Sequence, residues 1–239
     1  MTCVILQSYC EDKMTPWIER CLESVRSWAD AQDYGYEFLG DELFDLTPEW
    51  YRTKLGDRMP IIADLARLNW IAKTLEAGAE VVVWLDADTL VFRPAGLTVE
   101  IEQTCVFGLE NWLQTKQNKP RLYRNVHNAY LGFRRDCPVL PFLQHATLKM
   151  IDRVDEEHIA PQFVGPKLLT HLNNLIGLQT DERFGAISPL LASELVAGSP
   201  GAEHYLANVQ AANLCLSLDD QIEHDELLEA LLRMGMVRA

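Results

Sequence analysis

Asp86 and Asp88 flank Ala87 inside the apolar run VVVWLDADTLVF, Val81 to Phe92. A run of this kind, bounded by polar residues, predicts a buried strand. In an extended chain residues i and i+2 face the same side, about 7 Å apart. Two neighbouring carboxylates repel unless something cationic lies between them. Their hard oxygens suit Mg²⁺ or Mn²⁺ and, through the metal, a phosphate. Open α/β sheets bind ligands at the C-terminal ends of their strands, where this pair would project. The plainer reading is that Asp closes a strand and begins a turn. Asp-x-Asp also arises by chance about once in a chain this rich in Asp.

The surrounding segments must position that pair. Cys3 to Ser8 reads as a first strand, with Gln7, Ser8 and Tyr9 at its exit. Thr15-Pro16 is an N-cap followed by Pro at N1. Trp17, Cys21, Val25 and Trp28 recur at helical spacing, so Pro16 to Ala31 is predicted helical. Tyr36 to Leu39 reads as a second strand, completing a βαβ unit. Residues 40–60 read as a loop with a helical turn. A helix then begins at Pro60, with Ile61, Leu65, Leu68, Ala72 and Leu75 as one buried stripe and Gly78 as its stop. Asp64 and Arg67 lie beside the stripe, and by themselves they read as an ion pair on a solvated face.

Beyond the Asp pair, strands are predicted at Thr104–Leu109 and Asn128–Arg134. Between them lies a polar stretch with Lys116, Lys119, Arg121 and Arg124, read as a loop over an anionic ligand or as solvated surface. Helices are predicted over Val139–Asp155, Pro166–Leu175 and Asp225–Met234, and short strands over Thr180–Phe184 and Ala186–Ser188. The leucines of the last helix either cap the core or form a homodimer contact. Ala197–Ala202 reads as a flexible loop. There is no internal repeat.

The 239 residues are 48% hydrophobic and 23% charged, enough for one large core, and a single α/β domain is expected. A net charge of −14 disfavours nucleic acid and anionic membrane as general partners. It does not forbid a phosphate ligand, because a bound cation inverts the local sign. No stretch is apolar for long enough to span a bilayer, and the N-terminus lacks a basic leader region. The six cysteines include no C-x-x-C pair, so no zinc site is expected; Cys3, Cys105 and Cys215 read as core packing. Reduced thiols and a cytoplasmic location follow as expectations.

In order along the chain stand VILQSY, ADLARL, WLDADTLV, NAYLGFR and FVGPKLLTHL. This ordered set resembles the nucleotide-sugar-dependent glycosyltransferases of the GT-A fold that carry a DxD motif, among them families eight, thirty-two and thirty-four. ADLARL is similar to their S-D-x-x-R element, and NAYLGFR to a later N-x-G strand. The Gly-Gly-x-Tyr that often precedes the DxD is replaced here by GAEVVVWL. The resemblance implies a GT-A nucleotide-diphospho-sugar transferase fold, a Rossmann-like mixed sheet flanked by helices. It implies a Mn²⁺ or Mg²⁺ cofactor, with Asp88 as direct ligand and Asp86 on the metal or the ribose. Gln7, Ser8 and Tyr9 would approach base and ribose; Asp64, Arg67 and Ala87 would line the donor pocket. Asn128 would form the sugar or acceptor side, with Glu110 to Trp112 as acceptor contacts. A late metal-binding histidine in family eight points to His204, although the G-x-x-K-P-W that should follow is missing and a surface histidine is the competing reading. The implied reaction moves a sugar from a nucleotide-diphosphate donor, UDP-linked by family habit, to a glycan or other hydroxyl acceptor with retention.

LDADTLV also fits the D-x-D-x-T of haloacid dehalogenase-like phosphatases. Asp86 would then be the nucleophile and Asp88 the acid/base, with Lys167 and Asp219-Asp220 as later motifs. The 85 residues before Asp86 count against that order. A third reading is a non-catalytic binder of nucleotide-sugar on the same fold.

Overall fold

The computed structural model describes residues 2–159, 163–215 and 223–236. The chain opens with β1 (Cys3–Ser8), α1 (Pro16–Ala31) and β2 (Gly35–Leu39). β1 and β2 are parallel, so this is the expected βαβ unit. Thr15 holds the N-cap position, but its hydroxyl makes no capping bond; Pro16 at N1 starts the helix. The stretch read as loop folds into a 3₁₀ turn, Asp41–Leu46, and α2 (Glu49–Leu55).

α3 (Met59–Glu76) then returns across the sheet to β3 (Val81–Leu85). All five residues of β3 are buried, as befits a strand covered on both faces. Val82 and Trp84 face a core shared with Trp70, Phe107 and Phe133. Val81, Val83 and Leu85 face another, shared with Ile5, Trp28 and Phe184. This is the period-2 alternation of a strand. α3 is not a one-sided stripe: Ile62, Asp64, Ala66, Arg67 and Trp70 are buried as well, and Ala72 is only half-buried.

β4 (Thr89–Val91) precedes β5 (Cys105–Lys116) and β6 (Lys119–Arg134). These last two form one long hairpin, so the basic stretch is paired strand and not loop. Gln117 and Asn118 turn the chain with φ of 53° and 58°, as a two-residue hairpin with primed turn geometry requires. α4 (Val139–Arg153), α5 (Pro166–Ile176), β7 (Thr180–Asp181), β8 (Phe184–Ala186), α6 (Pro189–Val196), β9 (Ala211–Asn213) and α7 (His224–Met236) follow.

The main sheet has the order β2-β1-β3-β6-β5-β7, and β4-β9-β8 make a smaller one. β1 is parallel to β3, whereas β6 is antiparallel to both β3 and β5. The expected α/β architecture, a mixed sheet flanked by helices, is what the chain adopts. Leu227, Leu228 and Leu231 of α7 are fully buried with Trp17, Ile18 and Leu191, so these leucines cap the core. All six cysteines are free; Cys3 and Cys105 are buried, but Cys215 is only partly so and has φ of 53°. Among the described residues no helix is long and apolar enough to cross a membrane.

Candidate functional site

β3 stops at Leu85, and Asp86 to Thr89 form a turn closed by the Thr89 N–H donating to the Asp86 carbonyl at 3.0 Å. The two carboxylates are therefore set by a turn and not by the pleat of one strand, as the extended reading had it. Ala87, 4% exposed, seats that turn in the core shared by Trp17 and Leu22.

Each carboxylate has its own holder. Asp86 Oδ1 accepts from Arg67 Nη1 at 3.0 Å and from Trp84 Nε1 at 2.6 Å. Arg67 Nη1 also donates to the Asn128 carbonyl at 2.9 Å, and its guanidinium lies 5.1 Å from the centre of the Trp84 ring. Asp64 stands 3.4 Å from Arg67, and each of those two side chains is only 8% exposed. The ion pair predicted on a solvated face is thus buried behind Asp86.

Asn128 arrives through a bulge. Phe107 of β5 pairs with Leu131, but Gly108 pairs with His127, so residues 128–130 stand out of the β5–β6 ladder, while Tyr130 still pairs with Leu85 of β3. The displaced segment accepts the Asp86 N–H on the Ala129 carbonyl at 3.0 Å and sends Asn128 Nδ2 to Asp64 Oδ1 at 2.6 Å. His127 braces the bulge: its Nδ1 accepts the Ala129 N–H at 3.2 Å, which leaves Nε2 to donate to the Phe184 carbonyl at 2.9 Å. A Cβ at Gly108 would overlap the His127 ring. A Cβ at Gly165, in the segment FVGPKLLTHL, would lie 2.5 Å from Asp64 Oδ2 and 2.8 Å from Asn128 Nδ2, so glycine lets that loop close over the pair.

Asp88 is 5% exposed and accepts from Asn213 Nδ2 at 2.6 Å. Its carbonyl takes the Leu214 N–H at 2.9 Å, and Asn213 Oδ1 takes the Cys215 N–H at 2.8 Å. Asn213 went unnoticed in the sequence. Burial and then the charges of Asp88, Glu110 and Asp86 push the Cys215 thiol well above its ordinary range. Burial, then Asp88 and Cys10, likewise raise the Tyr9 phenol.

The other expected residues sort by geometry. Gln7 is fully buried, donates to the Asp86 carbonyl at 3.1 Å and accepts from Tyr36 Oη at 3.1 Å; it props the turn. Ser8 donates to the Gly40 carbonyl at 3.2 Å. Glu110, raised by burial, accepts from Asn125 Nδ2 at 3.2 Å. His204 is exposed on the 3₁₀ turn Ala202–Leu206, and among the described residues no three His, Cys, Asp or Glu side chains gather as a metal set. Lys167 is exposed on α5, and Asp219-Asp220 lie outside the described residues.

Asp86 and Asp88 offer carboxylate oxygens only. Two such ligands fit Mg²⁺ or Mn²⁺ of the kind that completes its shell with water and substrate phosphate. A cation there would offset the like charges that Asp86 and Asp88 bring to one turn.

Burial raises the Asp64 carboxyl to about 6, with Asp86 adding to the rise and Arg67 and Asn128 opposing it. The folded value exceeds the unfolded one, so the stability this group contributes is full below pH about 4 and is lost as pH climbs through 6. We expect an Asp64→Asn variant to gain on the wild type by about 2 kcal/mol between pH 4 and pH 7. Paired urea melts across that range measure the gain; parallel curves would refute it.

No protein-family model matches the chain, and no curated protein does. Among solved structures, one described as a glycosyltransferase involved in the glycosylation of the major capsid of PBCV-1 aligns with a TM-score of 0.52. The match covers 96% of this chain and 98% of that one. This chain has a glycosyltransferase fold. At 12% identity the likeness is one of fold.

Proposed function

We propose that the protein is a metal-dependent glycosyltransferase of GT-A type that uses a nucleotide-diphosphate-sugar donor, UDP-linked, and a glycan or other hydroxyl acceptor. The observation that carries the reading is the convergence of α3, the β3 turn and the β6 bulge on two adjacent carboxylates. A bound Mg²⁺ or Mn²⁺, held by Asp86 and Asp88, would offset the charge that builds on the departing diphosphate.

The chain's own residues then have defined tasks. Arg67 and Trp84 hold Asp86 by one oxygen, so Arg67 serves to aim a carboxylate more than to grip phosphate. Asn213 fixes Asp88 from the small sheet, so the donor sits where the two sheets meet. Asp64, Asn128 and Gly165 form a buried wall behind Asp86. Glu110, two residues along β5 from the Gly108–His127 pair beside Asn128, stands on the acceptor side. Retention suits such a site, since it asks for no dedicated protein base. Six free thiols accord with a reducing compartment, and we place the protein in the cytoplasm on that ground.

The phosphatase reading is the weaker one, because a βαβ unit and 85 residues precede Asp86 and Lys167, its candidate later cation, is exposed on α5. UDP with Mn²⁺ should raise the thermal midpoint by several degrees, as a ligand selective for the native state does. Stabilisation by no nucleotide diphosphate, together with Mg²⁺-dependent hydrolysis of p-nitrophenyl phosphate, would replace this function with the phosphatase.

A further inference from the structure

The β5–β6 arm carries chemistry that donor binding does not use. Residues 111–124 hold Lys116, Lys119, Arg121 and Arg124 and no Asp or Glu, in a chain of net charge −14. The register sorts them. Glu110–Asn125, Trp112–Tyr123, Gln114–Arg121 and Lys116–Lys119 are cross-strand pairs on one face. Asn111–Arg124, Leu113–Leu122 and Thr115–Pro120 occupy the other.

The second face is anchored. Leu113 is 6% exposed in the cluster that contains Leu191 and Leu195 of α6, and Arg124 pairs with Glu182 at 3.7 Å. The first face is open: Trp112 and Tyr123 are half-buried, and Lys116, Lys119 and Arg121 are exposed. At its inner end Glu110 lies two residues along β5 from Gly108, which pairs with His127 beside Asn128. From Glu110 to Lys116 the strand rises about 20 Å. An aromatic pair and then a cationic tip thus lead outward from the proposed acceptor side.

We propose that this face is the acceptor track and that the acceptor is an anionic oligosaccharide. The inference rests on the glycosyltransferase reading above. Sugar rings would pack on Trp112 and Tyr123, whose broad faces suit a surface that is part apolar and part wet. Carboxylates or phosphates farther along the glycan would meet Arg121, Lys116 and Lys119. Elsewhere the acidic protein repels such a chain, so the strip also steers its approach. A bilayer fits less well. The tip, Lys116-Gln117-Asn118-Lys119, has no apolar residue to insert, and Leu122 belongs to the other face.

The test compares tetragalacturonate with its carboxyl-reduced counterpart by calorimetry on the wild type and on the triple variant Lys116→Gln, Lys119→Gln, Arg121→Gln. The charged tetramer should bind the wild type at least about tenfold more tightly than the neutral one, with the gap closing at high salt. The triple variant should lose that preference while keeping the thermal shift from UDP and Mn²⁺. Equal binding of the two tetramers, binding of neither, or an unchanged preference in the variant would overturn the track. So would co-sedimentation with phosphatidylglycerol vesicles that the same three substitutions abolish. If the tetramer binds through the three cations but UDP with Mn²⁺ gives the wild type no shift, the anionic track stands and the donor reading fails.

Discussion

Asp88→Asn should abolish transfer and leave the fold intact. Asp88 is nearly buried and accepts Asn213 Nδ2 at 2.6 Å. An amide at 88 can still turn its oxygen to Asn213, so that hydrogen bond survives and no cavity opens. What disappears is a formal charge. Removing the group that holds charge against a developing anion costs on the order of 10²–10³ in rate. The thermal midpoint without metal should stay within about 2 °C of the wild type, since a formal charge in a nearly buried place has also been removed. The shift produced by UDP with Mn²⁺ should shrink strongly. Three readouts on one variant therefore separate the possibilities. Lost activity with a retained midpoint supports the cation-holding role. A collapsed midpoint would make Asp88 a folding residue. Undiminished transfer would remove it from the site.

The contrast between Asp88 and Asn213 explains which parts of the site were legible in the sequence. The Asp pair announced itself because both residues sit in one apolar run. Asn213 lies 125 residues away on a three-residue strand, and only the pairing of β4 with β9 brings it to Asp88. The one local cue was its place in an apolar stretch, AANLCL, where a lone polar side chain needs a partner. Asp64 and Arg67 were recognisable as neighbours at helical spacing, but not as buried. The apolar residues on nearly every side of α3 were the missed sign that no solvated face was available. Helix α1 appeared with the predicted limits because its periodicity is strong, and β3 began where predicted but ended at Leu85, before the Asp pair. The outer part of the β5–β6 arm escaped because residues 114–121 hold no Leu, Ile, Val or aromatic side chain to mark an alternation. The bulge at 128–130 could not be read at all, since register is a relation between strands and not a property of either. His204 was placed by a motif whose continuation is absent, and the 3₁₀ turn that carries it faces solvent.

Arg67→Met should cost more stability than any other single change at the site, about 3–5 kcal/mol at pH 7.5. Arg67 reaches Asp86, Asp64 and the Asn128 and Ala63 carbonyls at once, and it lies over Trp84. Methionine fills much of the space but leaves two carboxylates without their shared cation. Arg67→Lys should recover only part of the loss, because an ammonium lacks the planar fork that spans Asp86 and the Asn128 carbonyl. The sign of the pH dependence is fixed by Asp64. Arg67 is what pulls that carboxyl down, so its removal drives the carboxyl still higher than about 6. Protonation then relieves the variant in acid, and the penalty measured by urea denaturation should be smaller at pH 5 than at pH 7.5. Adding Asp64→Asn removes one of the two stranded charges. The double variant should therefore be more stable than the sum of the single effects predicts, by at least about 1 kcal/mol at pH 7.5. Strict additivity, or a penalty that does not change with pH, would mean that Arg67 acts through packing on Trp84 alone, and the electrostatic account of how Asp86 is aimed would fall with it.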